Sequence, residues 1–311
     1  MILNEVTNST TGGGVPPHLA KMENVLRSTR ITLEMIKWEH SIFALPFALT
    51  AAVLAADGWP PLRILFWIVV CMVSARSAAM AFNRWADARL DAANPRTAMR
   101  AIPAGQLSAG FVLAFTIIAA CVFLFAAAML NRLTLELAPV ALAVVLAYSY
   151  MKRLTRWSHL VLGLALGIAP SAAWIAVRGT LSPRILILTA IVILWVGGFD
   201  ILYACQDYDH DRRAGLFSIP AAIGLDGAFW TSRIMHLGMV ALLFVLVHTF
   251  HLGPIAAIGM GVVALLLLYE HSIISPKDLT RMNAAFFTLN GVISVVFFLA
   301  VAGDVLLGAR K

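Results

Sequence analysis

Six of the 16 acidic residues in this chain crowd into two short segments: Asp87 and Asp91 in the first, and Asp200, Asp207, Asp209 and Asp211 in the second. Carboxylates held close together repel one another and resist desolvation unless a cation neutralises them. Asn83, Asp87 and Asp91 stand four apart, so on a continuous helix their oxygens project from one face. Asp200, Tyr203, Asp207 and Asp211 fall at i, i+3, i+7 and i+11, a second such stripe, with Gly215 able to end the helix just beyond. Hard oxygen donors on two facing helix ends suit Mg²⁺, which takes one or two carboxylates together with water and phosphate oxygens. Arg96 and Arg100 follow the first stripe, Lys152 and Arg153 lie between the two, and Arg212 and Arg213 follow the second. Metal together with guanidinium is a combination that holds diphosphate. The plainer readings are a solvated acidic loop and, for Arg89, Arg156, Arg212 and Arg213, anchoring at a membrane surface.

The elements that must position these residues are membrane helices. Apolar residues make up 61% of the 311 and charged residues 13%, far from the balance of a water-soluble domain. A helix needs ~20 apolar residues to cross a bilayer. Such stretches lie near 41–57, 62–82, 109–130, 134–151, 159–178, 182–203, 228–250, 253–271 and 283–303, which predicts an all-α integral membrane protein of about nine spans. The first is short and contains Pro46. Both acidic stripes close an even-numbered span four spans apart, as two four-helix halves sharing a central cavity would arrange them.

Charge sets the expected orientation. Sixteen lysines and arginines fall on the side of the amino terminus and the even-numbered loops, six fall on the other side, and Arg76 lies inside a span. The positive-inside rule then puts the amino terminus and both acidic loops in the cytoplasm, in a multi-pass protein of the inner (plasma) membrane. The same bias, with anionic headgroups, accounts for the net charge of +7 without nucleic acid. Residues 1–30 are polar, with Gly12-Gly13-Gly14 and Pro16-Pro17, and read as a loose tail rather than a secretory signal. Residues 31–311 form one transmembrane domain, with acidic loops at 83–108 and 204–227. Cys71, Cys121 and Cys205 stand alone, without metal-site or disulfide spacing. His248 and His251 read as interfacial, and Glu39, Glu136 and Glu270 as packing or interface residues.

Several motifs now stand in order. The stretch Asn83-Arg84-Trp85-Ala86-Asp87-Ala88-Arg89-Leu90-Asp91, followed by Asn94-Pro95-Arg96-Thr97 and Arg100-Ala101-Ile102-Pro103, resembles the first signature of the UbiA-type aromatic prenyltransferases. Tyr148 through Lys152-Arg153 is similar to the family's Y-x-x-x-K element, and Asp200 through Asp211 to its second acidic signature. His40 to Phe47, Ser275 to Asp278 and Ala285 to Gly291 extend the likeness over about residues 36–300. Arg84 departs from the commoner Asn-Asp opening, and His210 replaces the first of two adjacent acids, leaving the minimal ligand set in place.

The resemblance implies a helical membrane enzyme whose acidic loops cap a central cavity open sideways to lipid. It implies Mg²⁺ on Asn83, Asp87 and Asp91 and on Asp207 and Asp211, with these four aspartates catalytic. Arg96, Arg100, Tyr148, Lys152, Arg153 and Tyr203 would contact substrate: Tyr148 and Lys152 the diphosphate, Arg153 the acceptor carboxylate. Asp207 would share in orienting or deprotonating a phenol. The expected reaction moves a polyprenyl group from polyprenyl diphosphate to a ring carbon of an aromatic hydroxy acid in quinone biosynthesis. That acid is 4-hydroxybenzoate or, in a subgroup serving the futalosine route to menaquinone, a dihydroxynaphthoate. Trp38, Phe43, Phe47 and Phe82 are candidates for stabilising an allylic cation, although core packing is the commoner role for each.

Rival readings are a family member with a different acceptor, a CDP-alcohol phosphotransferase and a cation transporter. The phosphotransferase signature needs Asp-Gly before Ala-Arg, and Met72-Val73 precede Ala75-Arg76. Transport would favour acids deep in several spans, whereas Asp87, Asp91, Asp207 and Asp211 gather at one surface.

Overall fold

Short side chains at helical spacing let this chain bring helices close around a buried centre. The computed structural model describes residues 28–36 and 44–308. A short helix, α1, covers 28–36, and α2 (Leu45–Ala56) follows. Eight helical segments are long and apolar enough to cross a membrane: Leu62–Ala86, Ala109–Ala128, Arg132–Leu154, Ser158–Arg178, Ile185–Ala214, Ile219–Thr249, Pro254–Ile273 and Ala284–Leu307. No strand occurs among the described residues beyond an isolated bridge between Ser275 and Asp278.

Of the expected first span at 41–57, residues 44–57 are described, and helix α2 within them has 12 residues, about 18 Å at 1.5 Å per residue against a ~30 Å hydrocarbon core. Pro46 sits in its first turn, and Asp57 closes it in the left-handed region at φ 51°. It is buried instead: Phe47, Ala48, Ala51, Ala52 and Val53 have no exposed surface, and the helix packs against α8 (Ser158–Arg178) and α13 (Asn290–Leu307). Full-length spans therefore number eight among the described residues, with α2 as an internal ninth helix.

The remaining helices are α3 (Leu62–Ala86), α4 (Ala88–Ala93), α5 (Ala109–Ala128), α6 (Arg132–Ala147), α7 (Met151–Leu154), α9 (Ile185–Ala204), α10 (Tyr208–Ala214), α11 (Ile219–Thr249) and α12 (Pro254–Ile273). In α11 the helical backbone breaks at Gly224 (φ 78°), so only its later part continues as the expected span at 228–250. Helices α8 and α9 cross closely because Gly163 and Gly167 have no side chains. A Cβ on Gly163 would lie 2.6 Å from the Ile193 carbonyl oxygen, and one on Gly167 would lie 2.7 Å from Ile193 Cγ1. This crossing aligns the second acidic stripe with the rest of the site.

A buried polar chain ties α9, α11, α12 and α13 together. Trp195 Nε1 donates to Asn290 Oδ1 at 2.7 Å, and Asn290 Nδ2 donates to Glu270 Oε1 at 3.1 Å and to the Ala285 carbonyl at 3.2 Å. His236 lies 3.2 Å from the Trp195 carbonyl through Nε2 and 2.9 Å from His271 through Nδ1. Asn290 thereby anchors a π-helical turn, Ala284–Leu289, that carries Phe286 and Phe287. Glu270, expected as a packing or interface residue, is a buried member of this chain.

Two outcomes follow from this packing. Asn290→Leu strands the Trp195 N–H and the Glu270 carboxyl, at about 1–3 kcal/mol for each buried unsatisfied group. A lowered Tm of the detergent-purified protein is the expected result. Gly163→Ala lowers Tm as well, whereas Gly261→Ala, with open space around its Cβ, leaves it unchanged.

Candidate active site

Both acidic stripes reach one cavity of about 660 Å³. Backbone hydrogen bonds from Asp87 N to the Asn83 carbonyl (2.9 Å) and from Asp91 N to the Asp87 carbonyl (2.8 Å) carry the helical register from α3 into α4. Asn83, Asp87 and Asp91 therefore all line the cavity, as their spacing predicts. The second stripe runs from α9 through one tight turn, Cys205–Asp207, into α10, which Gly215 ends at φ 66°. Asp200, Tyr203, Asp207 and Asp211 line the opposite part of the same wall.

Four of the five cavity aspartates are held by a lysine or arginine. Arg96 grips Asp207 with two bonds, Nε to Oδ1 at 2.8 Å and Nη2 to Oδ2 at 2.5 Å, and Asn94 Nδ2 adds a third at 3.2 Å. Arg100 Nη1 donates to Asp91 Oδ1 at 2.6 Å, Arg153 Nη2 to Asp87 Oδ1 at 2.7 Å, and Lys152 Nζ to Asp211 Oδ2 at 3.4 Å. The first acidic segment thus reaches across to Asp207 through Arg96. Lys152 and Arg153, adjacent in sequence, hold one acid of each stripe. Burial pushes the Asp87 carboxyl above the usual carboxylate range, and the Arg153 guanidinium works against that rise.

The fifth aspartate has a different partner. Asp200 Oδ2 lies 2.7 Å from Nδ1 of His159, whose side chain has no exposed surface. Sequence reasoning passed over His159, because nothing in its immediate neighbours marks a lone histidine near a helix start.

The deeper wall holds another residue that sequence reasoning left unassigned. Arg76 precedes Asn83 by seven residues on α3, about 10 Å along the helix, and lines the cavity. Its Nε is buried without a hydrogen-bond partner, as are Ser149 Oγ, Ser158 Oγ and Asp91 Oδ2, all in cavity-lining residues. The available signal was that Arg76 is a charge inside a span, which marks function by default.

Several expectations shift in detail. Arg84, Arg96, Arg100, Tyr148 and Lys152 line the cavity, as does His210. Arg153 is not on its wall, because its guanidinium is committed to Asp87 and, at 2.6 Å, to the Ala86 carbonyl. Arg89, Arg156, Arg212 and Arg213 are exposed and off the wall, which fits surface anchoring. Trp38 and Phe43 lie outside the described residues. Phe47 is a core residue stacked on Trp195 and Phe297, and Phe82 packs on Trp85 and Tyr150. The cavity's aromatic wall is built by Phe199, Tyr203, Phe286 and Phe287, with the Tyr203 and Phe286 rings 4.1 Å apart.

The donor set fits a hard divalent cation. Every candidate ligand among Asn83, Asp87, Asp91, Asp207 and Asp211 offers oxygen, and Asp91 Oδ2 is a buried acceptor with no donor. No three carboxylate or imidazole groups among the described residues converge into a cage. An ion that draws much of its coordination from water and phosphate needs none.

Comparison with known proteins gives the same direction. The sequence profile of the UbiA prenyltransferase family matches residues 44–299. The 4-hydroxybenzoate octaprenyltransferase of Vibrio cholerae serotype O1 is 34% identical over 248 residues, covering 78% of this chain and 86% of that protein. The enzyme of the same name from Aliivibrio fischeri is 32% identical, covering 83% and 90%. Among solved structures, a UbiA homologue from Aeropyrum pernix K1 superposes with a TM-score of 0.78 at 34% identity, covering 86% of this chain and 98% of that one. A UbiA homologue from Archaeoglobus fulgidus, solved with DMAPP and Mg²⁺, shares the fold at a TM-score of 0.64 and 17% identity, covering 88% and 99%. This multi-pass membrane protein belongs to the UbiA prenyltransferase family and is a prenyltransferase.

Proposed function

We propose that this enzyme transfers a polyprenyl group from polyprenyl diphosphate to a ring carbon of an aromatic hydroxy acid, 4-hydroxybenzoate or a dihydroxynaphthoate, in quinone biosynthesis. The observation that carries this reading is the two-level cavity. Acids and cations alternate around the acidic stripes, while an unpartnered arginine, a histidine-held aspartate and four aromatic rings form the remaining wall. The curated relatives' name supports the acceptor class, and the archaeal homologue bound to DMAPP and Mg²⁺ supports the donor and the ion.

In this reading Asn83, Asp87 and Asp91 would hold one Mg²⁺, and Asp207 and Asp211 the other. The chemistry the ion supplies when bound is Lewis-acid neutralisation of the departing diphosphate. Arg96, Arg100 and Lys152 donate hydrogen bonds to phosphate oxygens, with the hydroxyls of Tyr148 and Tyr203 beside them. Arg76 takes the acceptor carboxylate, a charge-assisted pair for which its buried, unpartnered Nε is suited. Arg153 acts one step removed, by holding Asp87.

The prenyl C1–O bond breaks with its electron pair going to diphosphate. The ring carbon ortho to the hydroxyl bonds to C1, and the ring proton passes to the departed diphosphate, restoring aromaticity. Asp200 is the base best placed to take the phenolic proton, since it alone of the five cavity aspartates lacks a lysine or arginine. Phe199, Tyr203, Phe286 and Phe287 flank the allylic cation with π faces and keep water from it. The positive-inside distribution supports a cytoplasmic amino terminus and cytoplasmic acidic loops at 83–108 and 204–227 in the inner membrane, with 31–311 as one domain.

Asp87→Ala and Asp207→Ala are expected to insert normally and to lose turnover by more than about 100-fold, on the scale of transition-state electrostatics. Wild-type pyrophosphate release by either variant sinks the assignment. Chelation with EDTA abolishes product formation and Mg²⁺ restores it. Arg76→Ala raises KM for 4-hydroxybenzoate by roughly 10- to 100-fold, from ~1.5–3 kcal/mol for a bond to a charged group, and the loss disappears with its methyl ester. Mass spectrometry of products from a panel of phenolic acids and prenyl diphosphates reads the acceptor directly.

A further inference from the structure

His159 stands at a junction that the functional reading leaves unused. It lies in the first turn of α8, completely buried, with its two ring nitrogens facing different parts of the protein. Nε2 accepts the backbone N–H of Ile219 at 3.3 Å, the first residue of α11 and the end of the stretch that follows the second acidic stripe. A nitrogen that accepts an N–H carries no proton in the neutral ring, so the proton is on Nδ1. Nδ1 therefore donates to Asp200 Oδ2, 2.7 Å away. The Asp200 side chain keeps 21% of its surface exposed on the cavity wall, leaving Oδ1 for a ligand.

We propose that His159 is a positioning residue for proton transfer: held in one tautomer by the Ile219 N–H, it orients the Asp200 carboxylate toward the acceptor hydroxyl without placing a fixed positive charge on it. The proposal rests on the reading of Asp200 as the phenol base. Its physical content is the difference between Asp200 and its four neighbours. Each of the four neighbours lies against a lysine or arginine cation, which competes with a proton for the carboxylate, as suits a metal ligand. A carboxylate held by a neutral N–H donor is fixed in direction yet still takes a proton. The arrangement follows the logic by which a base is oriented by a third group, with the order of acid and imidazole exchanged. The proton passes from the phenol oxygen to Asp200 Oδ1. His159 keeps its own proton throughout; the ring proton passes to the released diphosphate, and Asp200 returns the phenol proton to the product oxygen.

Two substitutions separate this role from simple support of the chain. In His159→Asn the amide nitrogen sits near the former Nδ1 and keeps the donation to Asp200, while the acceptor for Ile219 is lost. In His159→Gln the amide oxygen sits near the former Nε2 and keeps Ile219, while Asp200 loses its donor. With geranyl diphosphate and 4-hydroxybenzoate, His159→Asn is expected to hold kcat within about threefold of wild type. His159→Gln is expected to lose kcat on the order of 100-fold, at unchanged KM for the diphosphate. The loss should shrink at least tenfold with 3-fluoro-4-hydroxybenzoate, whose hydroxyl is more acidic, each variant being compared with wild type on the same acceptor.

Equal turnover of the two variants, the reverse order, or a loss independent of phenol acidity overturns the proposal. Should His159→Gln not accumulate as folded protein, Asp200→Asn carries the test, and wild-type kcat in that variant is equally fatal. Failure of the wild-type enzyme to prenylate any phenolic acid instead overturns the functional reading, and the assignment of His159 falls with it.

Discussion

An ionised carboxylate near a membrane interior must be neutralised, and the structure is organised around that constraint. Five aspartates share one cavity, where mutual repulsion and lost hydration would otherwise force protons onto several of them. Arg96, Arg100, Lys152 and Arg153 meet this cost pairwise. Three of the four bases come from segments remote from the acid they hold, so charge balance also fixes tertiary structure. Arg96 joins the first acidic segment to the second, and Lys152 and Arg153 join the end of the α6 span to both.

The pairing also suits the substrate of the proposed function, which is itself a cluster of negative charge. In that reading, diphosphate arriving with a divalent cation brings both signs at once. The acids and bases of the rim can each exchange a protein partner for one from the ligand, with little change in net charge. The deeper wall is built on a different principle. There Arg76 Nε is buried without a hydrogen-bond partner, and the rings of Phe199, Tyr203, Phe286 and Phe287 line the same cavity.

Much of this was legible in residue order because the helix repeat converts spacing into direction. Asn83, Asp87 and Asp91 could be assigned to one face by counting in fours, and the register survives the change from α3 to α4 because the backbone bonds continue across it. Apolar length predicted nine spans, of which eight stand at full length among the described residues. Counting cannot show which base reaches which acid. Arg153 donates to Asp87 and is off the wall, while Arg76, noted only as a charge within a span, lies on it. Of the aromatic candidates, Phe47 packs against rings of α9 and α13, the commoner role expected of it, and the rings of Phe199, Tyr203, Phe286 and Phe287 on the cavity wall come from α9 and from a π-helical turn that no simple periodicity encodes. His159 was invisible because both its partners, Asp200 and Ile219, are more than 40 residues away.

Lys152 has two attachments to the second acidic region. Its ammonium meets Asp211, and its own carbonyl accepts the backbone N–H of Phe217 at 2.7 Å. The short α7 therefore fastens the later part of that region at two points through a single residue, one sensitive to charge and one not. A substrate that draws the ammonium away undoes only the first. The polypeptide stays tethered while the carboxylate is released, so the mouth can rearrange its charges without coming apart.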